Sequence, residues 1–306
     1  MTDQSATRHK AGFVAVVGRP NTGKSTLVNA LVGKKVVITS HHPNTTRNPI
    51  RGIVSREDFQ MILVDTPGVH KPKTLLGNRL NAMVTESLES VDAALICLPV
   101  NEAIGAGDEF IIAALAKVRK IYVAVTKVDL AKPEMLMAKL AEVQEFLAKL
   151  QVTATEIIPV SGKSREQTEL LLGLLANALP ESPSLYPEDI TTDQATELMI
   201  CEWIREAAIA DLYEELPHSV MVTLDEWEKR EGKEMYDIHA TIHVERDSQK
   251  GIIIGPKGSR LKEIGTKSRL GIEAFLEAKV FLALHVKISK EWQRDPKALA
   301  RMGFTE

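Results

Sequence analysis

The residues best placed to do chemistry are Gly18-Arg19-Pro20-Asn21-Thr22-Gly23-Lys24-Ser25, which follow the apolar run Phe13-Val14-Ala15-Val16-Val17 and precede a helical pattern at Leu27, Val28, Leu31 and Val32. A buried strand that ends in a glycine-rich turn and opens a helix points backbone N–H groups at an anion, with the helix dipole behind them. Gly18 and Gly23 permit the turn, Lys24 reaches terminal phosphate oxygens, and the Ser25 hydroxyl is placed to ligate Mg²⁺. About 40 residues later a strand over 59–65 ends in Asp65-Thr66-Pro67-Gly68. An acidic residue there would hold Mg²⁺ through water, and the Gly68 N–H would bond a γ-phosphate and sense its presence.

Two further strand ends carry polar residues of another kind. The run Ile121-Tyr122-Val123-Ala124-Val125 delivers Thr126-Lys127-Val128-Asp129, and a strand over 156–160 delivers Ser161-Gly162-Lys163. The Asp129 carboxylate would accept the N1–H and 2-amino group of guanine, whereas adenine would turn a lone pair toward it. Lys127 can lie along the base face, and the Gly162 N–H can donate to guanine O6. This predicts GTP over ATP.

Those motifs require elements that bring them together. Strands are expected at 50–56, 59–65, 92–100, 120–125 and 156–160, with amphipathic helices at 106–117 and 134–150. Such alternation builds a mostly parallel sheet with helices on both faces, and ligands bind outside the carboxyl ends of its strands. Between the first helix and the second strand, residues 39–48 are polar and aperiodic, which reads as a loop. Its adjacent His41 and His42 diverge in direction and have no second ligating cluster near them in sequence, so no metal site is read there.

The 306 residues are enough for two domains, and 44% apolar content can fill a core in each. Residues 1–10 carry no targeting pattern, and no apolar run is long enough to span a bilayer. The two cysteines, Cys97 and Cys201, sit far apart inside apolar patterns, so buried thiols in a reducing, cytoplasmic compartment are expected. The net charge of -3 is unevenly spread. Residues 181–243 hold 4 Lys and Arg against 16 Asp and Glu, whereas 244–306 hold 13 against 8. A basic face is therefore expected late in the chain.

Pro180, Pro183 and Pro187 interrupt the pattern and mark a linker, giving domains at 1–182 and 195–306 with 183–194 between them. In the second domain a helix is expected at 195–212 and strands at 219–224 and 236–246. His239 and His243 share a strand face roughly 13 Å apart, too far for one metal. The apolar run before Gly255-Pro256-Lys257-Gly258 reads as a strand, and a helix with Arg260, Lys262, Lys267 and Arg269 follows. A G-x-x-G turn beside a basic helix is a K-homology clamp, in which glycines admit a nucleic-acid backbone and Lys257 adds charge.

Taken together, residues 18–29, Thr45-Thr46-Arg47, Gly68-Val69-His70-Lys71-Pro72-Lys73, Pro217-His218-Ser219-Val220 and Gln249-Lys250-Gly251-Ile252-Ile253-Ile254-Gly255 resemble the Era family of GTPases, from about Gly12 to Phe304. The resemblance implies an α/β P-loop GTPase domain followed by an α+β type II KH domain, with element order helix-strand-strand-helix-helix-strand. It implies GTP/GDP and Mg²⁺ as cofactors. Nucleotide contacts would come from Gly18, Asn21, Gly23, Lys24, Ser25, Thr26, Asp65, Gly68, Thr126, Lys127, Asp129, Ser161, Gly162 and Lys163. Ser25, Thr46 and Asp65 would hold the metal, with Thr45 the alternative to Thr46, and Lys24, Thr46, Gly68 and Asn21 would serve hydrolysis. Val69 stands where related proteins carry a water-orienting Gln, so hydrolysis is expected to be slow, with K⁺ beside Asn21 as a substitute charge.

RNA contacts would come from Lys250, Gly251, Ile254, Gly255, Pro256, Lys257, Gly258, Arg260 and Lys262. The implied partner is the 3′ end of small-subunit (16S) ribosomal RNA within the 30S subunit, met by a monomer without DNA, with peripheral contact at the inner face of the cell membrane left open. Two departures stand out: Thr126 replaces a common Asn, which would loosen the base loop, and Glu277-Ala278 replaces a glycine-containing turn, expected to be neutral. The rival reading is a nucleotide-gated switch whose second domain meets a protein or membrane.

Overall fold

A computed structural model describes residues 9–40, 45–68, 74–210, 212, 219–301 and 304. The chain divides into two compact units: Met1–Val37, Thr46–Lys71 and Leu80–Asp193 form the first, and Ile38–Thr45, Pro72–Arg79 and Gln194–Glu306 the second.

The first unit holds β1 (Lys10–Val17), α1 (Lys24–Val32), β2 (Ile50–Ser55), β3 (Phe59–Asp65), α2 (Leu75–Leu88, from Leu80 onward), β4 (Ala93–Pro99), α3 (Ala106–Ala114), β5 (Ile121–Thr126), α4 (Pro133–Lys149), β6 (Glu156–Pro159) and α5 (Thr168–Ala176). The described strands form one six-stranded sheet in the order β2-β3-β1-β4-β5-β6, with only β2 antiparallel to its neighbour. The strands β1, β4 and β5 are nearly continuous apolar runs because both faces are covered. Val14 and Val16 pack on one face with Leu27, Leu31, Leu171 and Leu175. Ala15 and Val17, one residue out of phase, pack on the other with Val84, Leu88, Ile111, Val143 and Leu147. Because β1 pairs in parallel with β3 on one side and β4 on the other, the strand order reverses at its carboxyl end, where a ligand crevice forms.

The proline-rich stretch differs from a free tether. Among its atoms, Pro180 O accepts from Ala11 N–H, Thr191 O accepts from Ile53 N–H, and the Leu185 and Tyr186 N–H groups donate to Gln60 Oε1. Arg51 and the Tyr186 hydroxyl both bond Asp193 Oδ2 at 2.8 Å. Prolines keep it out of regular structure, but the β1–β3 edge supplies partners for its backbone.

The second unit holds α6 (Thr196–Ile209), β7 (Met221–Lys229), β8 (Met235–Val244), α7 (Asp247–Ile254), α8 (Ser259–Leu276), β9 (Lys279–Ile288) and α9 (Pro296–Arg301). The sheet order is β7-β8-β9, with β7 antiparallel and β9 parallel to β8. Ile238, Ala240, Ile242 and Val244, every second residue of β8, form a buried floor for Ile200, Ile204, Ile264 and Ile272. His243 lies on the opposite sheet face, bonded to Thr223 Oγ1 at 2.8 Å and Ser289 Oγ at 2.9 Å. Burial, with Lys287 nearby, holds its pKa below the usual histidine value. Among the described residues no group of three or more His, Cys, Asp and Glu side chains could hold a metal, and no helix is long and apolar enough to cross a membrane. His41 and His42 lie outside the described residues.

Residues 247–254 are a helix, as the element order implied by the resemblance has it and not the strand read from the apolar run before the G-x-x-G turn. The Gln249 side chain accepts from the N–H groups of Glu245 and Arg246 and so caps the helix start. The turn before β9 is also less neutral than expected: Glu277 sits at φ 51, ψ 30. A side chain in the left-handed region is penalised where glycine is not. Glu277→Gly should therefore stabilise the second unit by about 0.5–1 kcal/mol, measured by urea unfolding of the full chain; an unchanged or lower midpoint would refute the strain.

Candidate functional site

At the carboxyl end of β1 the chain enters the Gly18–Ser25 turn, with Asn21 exposed at φ 64 and Gly23 at φ 90 as the N-cap of α1. Gly23 offers no side chain to cap the first turn, and no acidic residue lies there. Its N–H groups and dipole are therefore available to an anion. The Lys24 ammonium is buried and donates to Gly18 O at 3.0 Å and Arg19 O at 2.8 Å. Burial pulls its pKa down, with Asp65 acting in the opposite sense.

The register Val16↔Asp65 between β1 and β3 sets Asp65 against the same turn. Its Oδ2 accepts from Ser25 Oγ at 2.8 Å and Thr46 Oγ1 at 2.9 Å, and those two hydroxyls lie 3.0 Å apart. Its other carboxylate oxygen, Oδ1, is buried with no hydrogen-bond partner among the described residues. Burial pushes the Asp65 carboxyl pKa up, against the Lys24 charge and the two hydroxyls. An all-oxygen cluster with an unsatisfied carboxylate oxygen fits a hard divalent cation such as Mg²⁺. Of the two adjacent threonines, Thr46 joins this cluster, and the Thr45 hydroxyl meets Ser40 Oγ at 2.9 Å. Gly68 closes the crevice, since a Cβ there would stand 2.8 Å from Pro20. Val69, and with it the water-orienting position, lies outside the described residues.

The base motifs meet the same edge. The Thr126 hydroxyl donates to Thr22 O at 2.6 Å, so the substitution for Asn keeps one tie to the phosphate loop. Lys127 is held at φ 60. Exposed Asp129 follows in a short turn, with Oδ1 accepting from Ser161 Oγ at 2.6 Å. Ser161 Oγ in turn accepts from the N–H groups of Lys163 and Ser164. Gly162 packs beside the first turn of α1, where a Cβ would stand 2.9 Å from the Leu27 backbone, next to Thr26. The motifs expected to contact the nucleotide are thus brought together at one edge of the sheet. Sequence spacing missed Arg19, whose guanidinium bonds Asp108 from 89 residues away.

The second candidate site is a groove of about 720 Å³ in the second unit, lined by Ser248, Gly251, Ile252, Gly255, Pro256, Ser259, Arg260 and Glu263. Gly255 has φ 71, ψ 175, a region open essentially to glycine alone. Lys257 (φ 49) and Gly258 (φ 76) complete the turn. Of the expected RNA contacts, Gly251, Gly255, Pro256 and Arg260 line the groove, and exposed Lys257 and half-buried Gly258 form its rim. Ile254 does not: because the run is a helix, positions 248, 251 and 252 share the groove face, and Ile254 packs toward the core. Ile252 takes its place, 47% exposed. Lys250 and Lys262 also fall outside the lining, each on another face of its helix.

Residues 13–127 match the family described as "50S ribosome-binding GTPase", and residues 215–293 match the KH domain. The chain is 54% identical to the GTPase Era of Nocardioides sp., over 97% of this chain and 96% of that one. It is 53% identical to the GTPase Era of Streptomyces coelicolor, over 99% and 97%. The chain belongs to the Era family of GTPases. Its fold superposes on Era in complex with MgGDPNP and nucleotides 1506–1542 of 16S ribosomal RNA with a TM-score of 0.92 at 35% identity, covering 97% of this chain and all of that one. A variant of Aquifex aeolicus Era bound to GDP·AlF4⁻ gives 0.91 at 34%, with the same coverage. As an Era-family member the chain is a GTPase with a C-terminal KH domain.

If Asp129 reads guanine as its motif predicts, removing its carboxylate would delete two hydrogen bonds to a charged acceptor, each worth about 1.5–3 kcal/mol. Asp129→Ala should lower GTP affinity roughly 10²- to 10⁴-fold and collapse the GTP/ATP ratio, measured by titration calorimetry. An unchanged ratio would sink the base assignment.

Proposed function

We propose that this GTPase binds the 3′ region of small-subunit (16S) ribosomal RNA through its KH unit and acts in 30S subunit assembly and rRNA maturation, with GTP hydrolysis timing release. The observation that carries this reading is the left-handed turn Gly255–Gly258 opening a groove beside a basic helix, on a chain that also assembles a guanine-nucleotide crevice. Support comes from the Era relative solved with a 16S rRNA fragment.

In this reading the α1 N-terminus and Lys24 bind the β- and γ-phosphates, and the Gly68 backbone senses the γ-phosphate. Ser25, Thr46 and Asp65 would hold Mg²⁺, which supplies positive charge across the β- and γ-phosphate oxygens. Asp129, oriented by Ser161, reads the base, and Lys127 covers it. We further propose a cytoplasmic monomer whose contact with the cell membrane is peripheral; its two buried free thiols, both pushed up to about 12 by burial, are in keeping with a reducing compartment. Fractionation and analytical sedimentation test both points.

The RNA reading is tested with a labelled RNA spanning nucleotides 1506–1542. Gly255 is a poor target, since a Cβ there would meet Arg260 at 2.7 Å, but Gly258 has open space around it. Gly258→Asp puts a negative charge at the rim in a conformation Asp tolerates, and RNA binding should collapse with GTP affinity retained. Lys257→Ala should lower the slope of log K against log salt by roughly 0.7. A folded Gly258→Asp that binds as tightly as the parent overturns the reading and gives precedence to a nucleotide-gated protein or membrane switch.

Asn21 in its exposed left-handed turn, together with Val69, leads us to propose K⁺ as the charge that aids hydrolysis. Hydrolysis should be faster in KCl than in NaCl at equal ionic strength, and Asn21→Ala should erase the difference; equal rates in the parent remove the proposal.

A further inference from the structure

The loop after β4 carries Glu102, which no motif singles out. Its carboxylate lies between cations from two different motifs: Oε1 is 3.2 Å from Lys127 Nζ, and Oε2 is 3.7 Å from Arg19 Nη2. Lys127 belongs to the base loop and Arg19 to the phosphate loop. Arg19 is fixed from its other side, where Nε donates to Asp108 Oδ1 at 2.9 Å.

The loop itself is clamped residue by residue. Glu102 O accepts from Lys139 Nζ at 2.6 Å, and Ala103 O accepts from Arg19 Nη2 at 3.0 Å. Ile104 N–H donates to Glu142 Oε1 at 3.0 Å, and Gly105 N–H to Asp108 Oδ2 at 3.0 Å. Four consecutive residues thus each have a backbone atom held by a side chain. Lys139 is only 3% exposed and also pairs with Glu142 Oε2 at 2.9 Å. A lysine is rarely buried this far without a partner, and here it is spent on fixing a surface loop. The element held so firmly presents Glu102 to the two nucleotide motifs.

Thr126 gives the reason such a brace matters. Its hydroxyl makes one bond to the phosphate loop, whereas an Asn amide offers a carbonyl acceptor and two N–H donors. We propose that Glu102 is a positioning residue for guanine-nucleotide binding: by bridging Lys127 and Arg19 it locks the base loop to the phosphate loop and supplies the anchoring that Thr126 alone does not. Without the carboxylate the two cations lose their common counter-ion. The Lys127 stem then regains rotamer freedom that must be given up again whenever a base binds.

This rests on Lys127 lying along guanine, and the Asp129→Ala measurement tests that assignment independently of Glu102. The test here is stopped-flow release of fluorescent N-methylanthraniloyl-GDP from the full chain. Both ion partners are partly exposed, so the bridge is weaker than a buried one. Glu102→Gln should accelerate release roughly 3- to 10-fold, and Glu102→Asp, too short to span both cations, should fall between it and the parent. Thr126→Asn should slow release more in the Glu102→Gln background than in the parent, a coupling that a general loss of stability does not produce. Release from Glu102→Gln and Glu102→Asp at the parent rate overturns the proposal, as does an equal effect of Thr126→Asn in both backgrounds.

Discussion

A lysine ammonium held out of water at the end of β1 is the constraint around which the first unit is arranged. Taking the charge of Lys24 into a crevice costs several kcal/mol unless compensating groups meet it. Two backbone carbonyls of the phosphate loop do so directly, and the Asp65 carboxylate adds its field. That compensation depends on the β1–β3 register, which sets Val16 opposite Asp65. A slip of one residue would turn Asp65 into a helix-packed face and leave Lys24 without its counter-charge. Both strands are buried on both faces, so the packing of Val14 and Val16 against α1 and α5, together with that of Ala15 and Val17 on the other face, is also what holds the electrostatics of the crevice in place.

The two units approach phosphate by the same physical route. Both α1 and α8 begin after a glycine in the left-handed region, Gly23 at φ 90, ψ 11 and Gly258 at φ 76, ψ 11. Neither helix has a side-chain cap or an acidic residue in its first turn, so the N–H groups and the positive end of each dipole face outward. A lysine lies next to each glycine, Lys24 after one and Lys257 before the other. The difference lies in burial. Lys24 is enclosed, which suits a fixed small ligand, while Lys257 is exposed on a rim, which suits a chain that must enter from solvent.

How much of this is legible in the sequence depends on the range of each interaction. The phosphate loop, Asp65, the base motif and the buried strands are local patterns, and each lies where its spacing predicts. The helix over 247–254 reads as a strand in the sequence because Ile252-Ile253-Ile254 is a β-branched run, and the capping contacts of Gln249 outweigh that preference. The difference bears on the groove: Ile254, which the resemblance implies as a contact, packs toward the core, and helical spacing exposes Ile252. The stretch reads only as a linker because prolines report that regular structure is absent and nothing of what the chain lies against. Gln60 and Tyr186, 126 positions apart, supply what pins it. Arg19, Glu102 and Lys139 are invisible for the same reason, since their contacts cross from one loop to another.

The division of charge in the second unit narrows the route open to a polyanion. Asp225, Glu226 and Glu228 are exposed along β7, on the acidic side of the chain's composition. On α8, Lys262, Lys267 and Arg269 are exposed, and Glu263, the acidic residue in the groove lining, is 2.7 Å from Lys267. A phosphate backbone is repelled along β7 and attracted along α7 and α8 over about a Debye length. The groove therefore needs few direct cationic contacts of its own. Lys262, Lys267 and Arg269 can contribute through the field while lying outside the lining, so the basic composition of the last 60 or so residues and the groove lie on the same part of the unit even though these side chains do not line it.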